Sequence, residues 1–475
     1  MTNTKKNFVY NTIYQLFSII VPIILAPFLS RRLGVGGSGI YSYTYSVVYY
    51  FTLFTLLGIN NYGSRLVAKV REDKKEVSKV FWELASLQLT LGTIMVSLFL
   101  IMTFTVFDKY RIIYLIQGLF IFSAALDINW FFYGMEEFKL TVIRSLIIKV
   151  INFICILIFV KSPDDVWVYA LIMSTSALAN QIVLWPFMRT RVIFVRPTIK
   201  NMKKHIKPLL VLFIPVIAIS IYKIMDKIMI GIISNVNEVG LYEYGEKINS
   251  IPLTIIAALG TVMLPKISNL AAKKKRTEIR QYLNKSISFV LFISTPLFYL
   301  FAISLNIIVP MYLGNDFSPT SSLTMLLSIS LPFVSFANVI RTQYLIPMEK
   351  DRIYVTSVVI GAVLNFIVNM LMIPSLGAKG ACYGTIIAEI SVMVFQTLCI
   401  KNEIQLTNNI KTFIIFALKS AAAFAPSLIL GNFIEDGLKK VFLQLLVYAS
   451  TYTILNIEYI NKNIIRINTT RKHAQ

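Results

Sequence analysis

Residues 80–107 read VFWELASLQLTLGTIMVSLFLIMTFTVF, 28 residues carrying one charge, Glu83. A helix rises about 1.5 Å per residue, so about 20 mostly apolar residues cross the hydrocarbon core of a bilayer. This run is long enough to do so. It is continuous rather than alternating, which excludes the strand of a transmembrane β-barrel. Thirteen further segments of the same kind flank it: 8–30, 40–62, 112–133, 140–160, 166–188, 208–233, 240–263, 286–309, 320–346, 353–373, 381–400, 412–431 and 441–460. The composition agrees. Hydrophobic residues make up 56% of the 475 and charged residues 15%, against about 25% charged in a soluble domain. Mean hydropathy is +0.70. The expectation is an all-α polytopic membrane protein of 14 transmembrane helices.

The net charge of +23 invites a nucleic-acid reading, but its distribution argues otherwise. With the N-terminus in the cytoplasm, the inside segments hold 31 Lys and Arg and the outside loops 8. That asymmetry is the positive-inside signal of membrane orientation, with attraction to anionic lipid as a secondary role. Both termini are expected in the cytoplasm. The first span, behind Lys5 and Lys6, reads as an uncleaved anchor. The basic segments 189–207 and 264–285 read as cytoplasmic linkers. The longest outer loop is about ten residues, too short for a catalytic domain.

The chain repeats itself. Gly39-Ile40-Tyr41-Ser42-Tyr43 opens span 2 and Gly240-Leu241-Tyr242-Glu243-Tyr244 opens span 8, an offset of 201. Leu57-Gly58 and Leu259-Gly260 lie near the ends of those spans, one residue out of register. Met135-Glu136 and Met348-Glu349 are 213 apart, as are Asn152-Phe153-Ile154 and Asn365-Phe366-Ile367. A unit of six helices is even, so both copies share one orientation, as in parallel-repeat transporters. The expected layout is an N-terminal lobe (1–207), a C-terminal lobe (208–400), and residues 401–475 holding spans 13–14 and a basic cytoplasmic tail. Two similar lobes with a cavity between them are a physical basis for alternating access.

Pro27-Phe28-Leu29-Ser30-Arg31-Arg32-Leu33-Gly34, followed by Gly39-Ile40-Tyr41-Ser42-Tyr43, resembles the first hairpin of the Wzx-type polysaccharide flippases. Asn129-Trp130-Phe131-Phe132-Tyr133-Gly134-Met135-Glu136 resembles their fourth span, with Tyr133 where Gln is common. Asp226-Lys227-Ile228-Met229-Ile230-Gly231, then Gly240-Leu241-Tyr242, resembles their seventh and eighth. The resemblance implies the fold of the superfamily that also holds drug/cation antiporters and lipid II flippases. It implies translocation of an undecaprenyl-pyrophosphate-linked oligosaccharide from the cytoplasmic to the outer leaflet of the bacterial cell membrane. It implies partners in glycosyltransferases and a polymerase of the same pathway.

An ion at the bilayer centre costs about 2.5–3.5 kcal/mol on insertion scales, so each deep charge is a candidate. Lys149 lies near the middle of span 5 and reads either as a structural pair or as a cavity lysine. Glu389 in span 12 reads as a coupling carboxylate or as the partner of a cation. Arg341, near the inner end of span 10, reads equally as snorkelling or cavity-lining. Arg144 is expected to snorkel to the interface, Asp127 to make a packing hydrogen bond near Trp130, and Lys419, outside the repeat, to be structural. The densest cluster is on the span 7–8 hairpin. Lys223, Asp226 and Lys227 fall at i, i+3 and i+4, and Glu243, Glu246 and Lys247 repeat that spacing. Lys227 and Glu246 both lie about 10 Å below the outer end and are expected to meet, as a structural salt bridge, a polar cavity wall, or both. Arg31 and Arg32 sit at the outer end of span 1, where snorkelling competes with a reach into the outer cavity; the resemblance favours the latter for Arg31.

The candidate cationic substrate site is therefore Arg31, Lys149, Lys223, Lys227, Lys247 and Arg341. Asp226, Glu243, Glu246 and Glu389 are coupling or charge-pair candidates. No catalytic residue, metal or cofactor is expected; coupling falls to a proton or sodium gradient or to membrane potential. Cys155, Cys382 and Cys399 are odd in number and lie in apolar stretches, against a disulfide framework. His205 and His473 are too few for a His-rich metal site. Asp164-Asp165, beside Pro163, reads as a solvated turn, and Gly34, Gly36, Gly37 and Gly39 as a tight turn between spans. Two rivals remain. A multidrug or cation antiporter would share the fold, and the near balance of deep Lys against Asp and Glu hardly separates the two. A membrane polysaccharide polymerase would need a long outer loop.

Overall fold

The computed structural model describes residues 3–462 as backbone, and side chains within 20–462 other than those of Tyr222 and Thr261. The expectations for Lys5 and Lys6 as side chains, and for the tail from 463 onward with His473, lie outside the described residues.

Among the described residues every regular element is helical. In chain order they are α1 (Asn3–Leu56), α2 (Ile59–Val70), α3 (Lys74–Thr105), α4 (Arg111–Gln117), α5 (Leu119–Ala125), α6 (Asn129–Gly134), α7 (Phe138–Phe159), α8 (Val166–Ile182), α9 (Ile199–Ile233) and α10 (Val236–Ala272). There follow α11 (Arg276–Ser294), α12 (Leu297–Leu313), α13 (Thr320–Ser328), α14 (Leu331–Ile340), α15 (Asp351–Leu376), α16 (Ala378–Cys399), α17 (Leu406–Gly431), α18 (Leu438–Leu455) and α19 (Ile457–Ile460). Among the described residues eleven helices are long and apolar enough to cross a membrane, or twelve if the pair Thr320–Ser328 and Leu331–Leu345, bent by 43°, is one span. The chain is a multi-pass membrane protein.

The breaks have chemical causes. The expected turn at 31–39 shrinks to one residue: α1 runs through it except at Gly34 (φ 65, ψ −175), a backbone state that glycine adopts without the Cβ clash of other residues. Span 4 is three pieces, α4 to α6. The second break is stabilised by Asp127, whose Oδ1 accepts from the backbone N–H of Asn129 (2.9 Å) and from its Nδ2 (2.7 Å). The basic segment 189–207 is only partly a linker, because α9 begins at Ile199, where the Thr198 side chain accepts from the Asn201 N–H.

Span 9 breaks before Pro296, which carries no N–H and leaves the Phe292 carbonyl without its helical donor. The Tyr452 hydroxyl of α18 donates to that carbonyl at 2.8 Å, and the Tyr448 hydroxyl to the Pro296 carbonyl at 3.3 Å. In hydrocarbon such a carbonyl has no water to turn to. This is how the α17–α18 hairpin docks on α11 and α12.

The chain divides by contact into two compact units, residues 1–243 and 244–475, with the boundary inside α10. The lobes drawn from the sequence divide it by internal repeat, a different criterion. Unit 1 is organised around Trp130, Phe131 and Phe132 of α6, buried against Phe81, Ile59 and Val67. Unit 2 is organised around Ile287, Val290, Leu291, Val339 and Ile340, with Phe416 of α17. Between helices in lipid, close packing replaces the hydrophobic effect as the main attraction. Glu136 and Glu349, 213 residues apart, both adopt left-handed backbone (φ 60 and 56), and α7 and α15 begin at Phe138 and Asp351, the same distance apart.

Candidate functional site

The site is positioned by a glycine seam between α1 and α10. A Cβ on Gly39 would stand 1.7 Å from the Val236 carbonyl oxygen, and a Cβ on Gly240 would stand 2.3 Å from the Val35 carbonyl oxygen. Only glycine permits both approaches. The contact is reciprocal: Val35 and Gly39 correspond to Val236 and Gly240 at the repeat offset of 201.

Below this seam the α9–α10 hairpin carries the charged cluster. Lys227 Nζ lies 2.7 Å from Glu243 Oε2, and the two side chains are 11% and 14% exposed. One residue back on each helix, the Tyr242 hydroxyl donates to Asp226 Oδ2 at 2.7 Å, both residues buried. The structure thus brings together Asp226, Lys227 and Glu243. The expected partner of Lys227 was Glu246. Helix α10 starts at Val236 rather than at 240, which moves its register by about one turn and brings Glu243 to the level of Lys227. Nearly buried pairs of this kind are held by mutual attraction against a desolvation cost of several kcal/mol per ion.

Two tyrosines of α1, Tyr41 and Tyr45, lie near the same charges. Tyr41, Tyr45 and Tyr49 form a stripe at i, i+4 and i+8, with ring centroids 5.9 and 6.3 Å apart. Tyr41 also meets Tyr169 at 4.4 Å, and Tyr45 meets Phe120 edge-on at 5.1 Å. The Tyr45 hydroxyl lies within electrostatic reach of both Lys227 and Glu243. The sequence reading used Tyr41 as a repeat marker and overlooked the stripe, whose four-residue spacing was visible.

The remaining expected residues of unit 1 stand on three different helices. Lys223 is exposed on α9, and Arg31 is exposed on α1, three residues before the kink at Gly34. The Arg32 guanidinium donates to the Lys161 carbonyl (3.2 Å) and covers the Phe28 ring. Lys149 stands half-buried on α7. In unit 2, Glu246 is half-buried, and exposed Lys247 has its ammonium 4.9 Å from the Tyr244 ring centre. Arg341 is half-buried, its guanidinium over the Tyr354 ring at 5.7 Å. Glu389 and Lys419 are half-buried on α16 and α17. The Asp165 carboxylate accepts from the N–H groups of Lys161 and Ser162 at 2.9 and 2.8 Å, which is the turn expected there.

Two buried polar clusters were not anticipated. Arg144 does not snorkel: it is 7% exposed, and its Nη2 donates to Asn129 Oδ1 at 2.9 Å and to Ser145 Oγ at 3.1 Å. Asn129 in turn donates to Asp127 and to Gln181 Oε1 (3.0 Å). An acceptor in the interior outweighed the short reach to the interface. The second cluster is built on Glu83, the lone charge of residues 80–107. Glu83 Oε2 accepts from Lys204 Nζ and from His205 Nε2, each at 2.9 Å, and His205 Nδ1 lies 2.8 Å from the Tyr62 hydroxyl. This chain ties α9 to α2 and α3. A separate apolar groove of about 630 Å³ runs along α7 and the end of α8, walled by Leu140, Ile143, Ile147, Ile151, Val183 and Phe187. Glu137, Lys139 and Arg144 also line it, and none of the ten expected site residues does.

The chain is similar to known proteins over most of its length. The family model for polysaccharide biosynthesis proteins matches residues 4–271, and the model for the lipid II flippase MurJ matches residues 145–449. A putative O-antigen transporter of Shigella dysenteriae is 22% identical over 403 residues, covering 84% of this chain and all of that protein. The solved structure of the lipid II flippase MurJ in an inward closed conformation superposes with a TM-score of 0.77 at 17% identity, covering 96% of this chain and all of that one. An inward-facing multidrug resistance transporter of the MATE family superposes with a TM-score of 0.63 at 13% identity, covering 84% of this chain and 96% of that one. The chain belongs to the polysaccharide biosynthesis protein family, the Wzx-type flippases that its motifs resemble, in the superfamily shared with the lipid II flippases.

Proposed function

We propose that this protein is a carrier, not an enzyme, that moves an undecaprenyl-pyrophosphate-linked oligosaccharide from the cytoplasmic to the outer leaflet of the bacterial cell membrane, for capsule, exopolysaccharide or O-antigen type synthesis. The family match over more than half of the chain carries this reading. Fourteen spans, as two six-helix copies and two further helices, would do this by alternating access through a cationic cavity. The matched left-handed turns at Glu136 and Glu349 support the two-copy plan.

The physical problem is the head group. Pyrophosphate and sugars lose their hydration in hydrocarbon, at many kcal/mol for an unpaired ion. Cationic side chains such as Lys149 and Lys227 would replace that solvation, while the polyprenyl tail stays in the bilayer. Outward movement of each negative charge gains about 2.3 kcal/mol per 100 mV of inside-negative potential, provided the empty carrier does not bring the charge back. A proton or sodium gradient would serve the same end, with Asp226, Glu243, Glu246 and Glu389 as the carboxylates to test; no cofactor is needed. Glycosyltransferases and a polymerase would act before and after it.

The test is leaflet-resolved labelling of the lipid-linked oligosaccharide in a deletion strain. The glycolipid should accumulate on the cytoplasmic side. Normal delivery to the outer leaflet, in a strain with no second flippase, overturns the reading. Wild-type delivery together with lost resistance to cationic dyes would favour a multidrug antiporter.

A further inference from the structure

We infer that the tyrosine stripe Tyr41, Tyr45 and Tyr49 is a stacking track for the sugar rings of the transported oligosaccharide, beside the Lys227–Glu243 pair. This rests on the flippase reading above and assigns the carbohydrate part of the substrate to a place in unit 1.

Helix α1 sorts its aromatics by face. Tyr43, Val47 and Phe51 pack against the buried cluster of Val48, Phe99, Tyr114 and Ile121. At about 100° per residue, the Tyr41–Tyr45–Tyr49 stripe points about 200° away from that face. Its rings are only half-buried. Their centroids advance by 5.9 and 6.3 Å, close to the step of one pyranose along an extended glycan. Tyr41 and Tyr45 are almost parallel, at 4°, and Tyr45 and Tyr49 are tilted by 51°, so the rings form a stepped row that offers successive faces rather than one plane.

The chemistry of the stripe suits a sugar better than lipid. An aromatic face carries negative charge density, and the axial C–H groups of a pyranose present a weakly positive patch to it. Each tyrosine also ends in a hydroxyl, which in hydrocarbon must find a partner and which can bond sugar hydroxyls at the edge of the stack. The charges that border the stripe point the same way: Tyr45 lies in reach of Lys227 and Glu243, and Tyr41 in reach of Glu243. A ligand with a phosphate end and a sugar end would find a cation and a row of aromatic faces in adjoining positions. Stacking reads ring faces rather than hydroxyl patterns, so the track would accept a range of sugars.

The experiment complements the deletion strain with Tyr45→Phe, Tyr45→Trp and Tyr45→Leu, and the same set at Tyr49, at matched membrane amounts. Delivery of the strain's own glycolipid to the outer leaflet is read. The ring-retaining variants should stay within about threefold of wild type, and Leu should fall tenfold or more. Full delivery in both Leu variants overturns the track and leaves the flippase reading intact. Normal delivery in the empty deletion strain overturns both. A second measurement covers a Leu variant that fails to fold. Tyr45→Cys, without Cys155, Cys382 and Cys399, is labelled with a thiol reagent in membranes from strains that make or cannot make the sugar-bearing precursor. Labelling should be at least threefold lower where the precursor is present; equal labelling, or none in either, overturns the proposal.

Discussion

At the scale of the residue, the Lys227–Glu243 pair separates structure from transport. Removing one partner of a buried pair strands the other and costs about 3–5 kcal/mol. Lys227→Gln should therefore lower the thermal midpoint of the purified protein and abolish glycan export. The exchange Lys227→Glu with Glu243→Lys keeps the pair but moves the positive charge to the other helix. If Lys227 touches pyrophosphate, the exchange restores the midpoint without restoring export; recovery of both shows that the pair is structural alone. A second residue to test is Glu83, which three groups on two other helices depend on. Glu83→Ala should lower the midpoint, whereas a fully stable Glu83→Ala would show that the His205–Tyr62 chain carries no packing energy. Asp226, Lys227 and Glu243 could be picked from the sequence because a charge inside an apolar run has few bland explanations. Their partners could not, since pairing depends on where α10 begins. Glu83 was passed over and Arg144 was read as snorkelling because both lie near the ends of runs, where reaching the interface is usually free.

At the scale of the element, the breaks carry the information that hydropathy lacks. Every long apolar run of the sequence has a helical counterpart among the described residues, because twenty apolar residues in lipid have no other way to satisfy their backbone. The fragmentation of span 4 and the narrowing of the 31–39 turn to a kink at Gly34 were invisible, because each is decided by one or two residues, Asp127 with Asn129 in the first case and a single glycine in the second, which hydropathy does not register. The Pro296 break gives a test. Tyr452→Phe leaves the Phe292 carbonyl without the hydroxyl that bonds it. A buried acceptor left unsatisfied costs about 1–3 kcal/mol, so the thermal midpoint should fall, while export per folded molecule should stay unchanged. An unchanged midpoint would mean that another donor replaces it.

At the scale of the whole molecule, orientation rests on the charge asymmetry of 31 against 8. Single cysteines at Lys203, Lys274 and Asn315, without the native Cys155, Cys382 and Cys399, should show it. An impermeant thiol reagent on intact cells should label position 315 and spare 203 and 274; the reverse pattern overturns the topology. Lys203 is exposed near the start of α9, and Lys274 and Asn315 stand outside the long helices, so the probes sit where a bulky reagent reaches. The glycine seam has a consequence at this scale too. Gly39 meets the Val236 carbonyl and Gly240 meets the Val35 carbonyl, so on the two-copy reading the contact is self-complementary, as at a twofold axis between identical subunits. On that reading a half-length ancestor would have dimerised through this patch; in the chain as it stands neither glycine can gain a Cβ without displacing the other helix's backbone, so each is the mould for its neighbour.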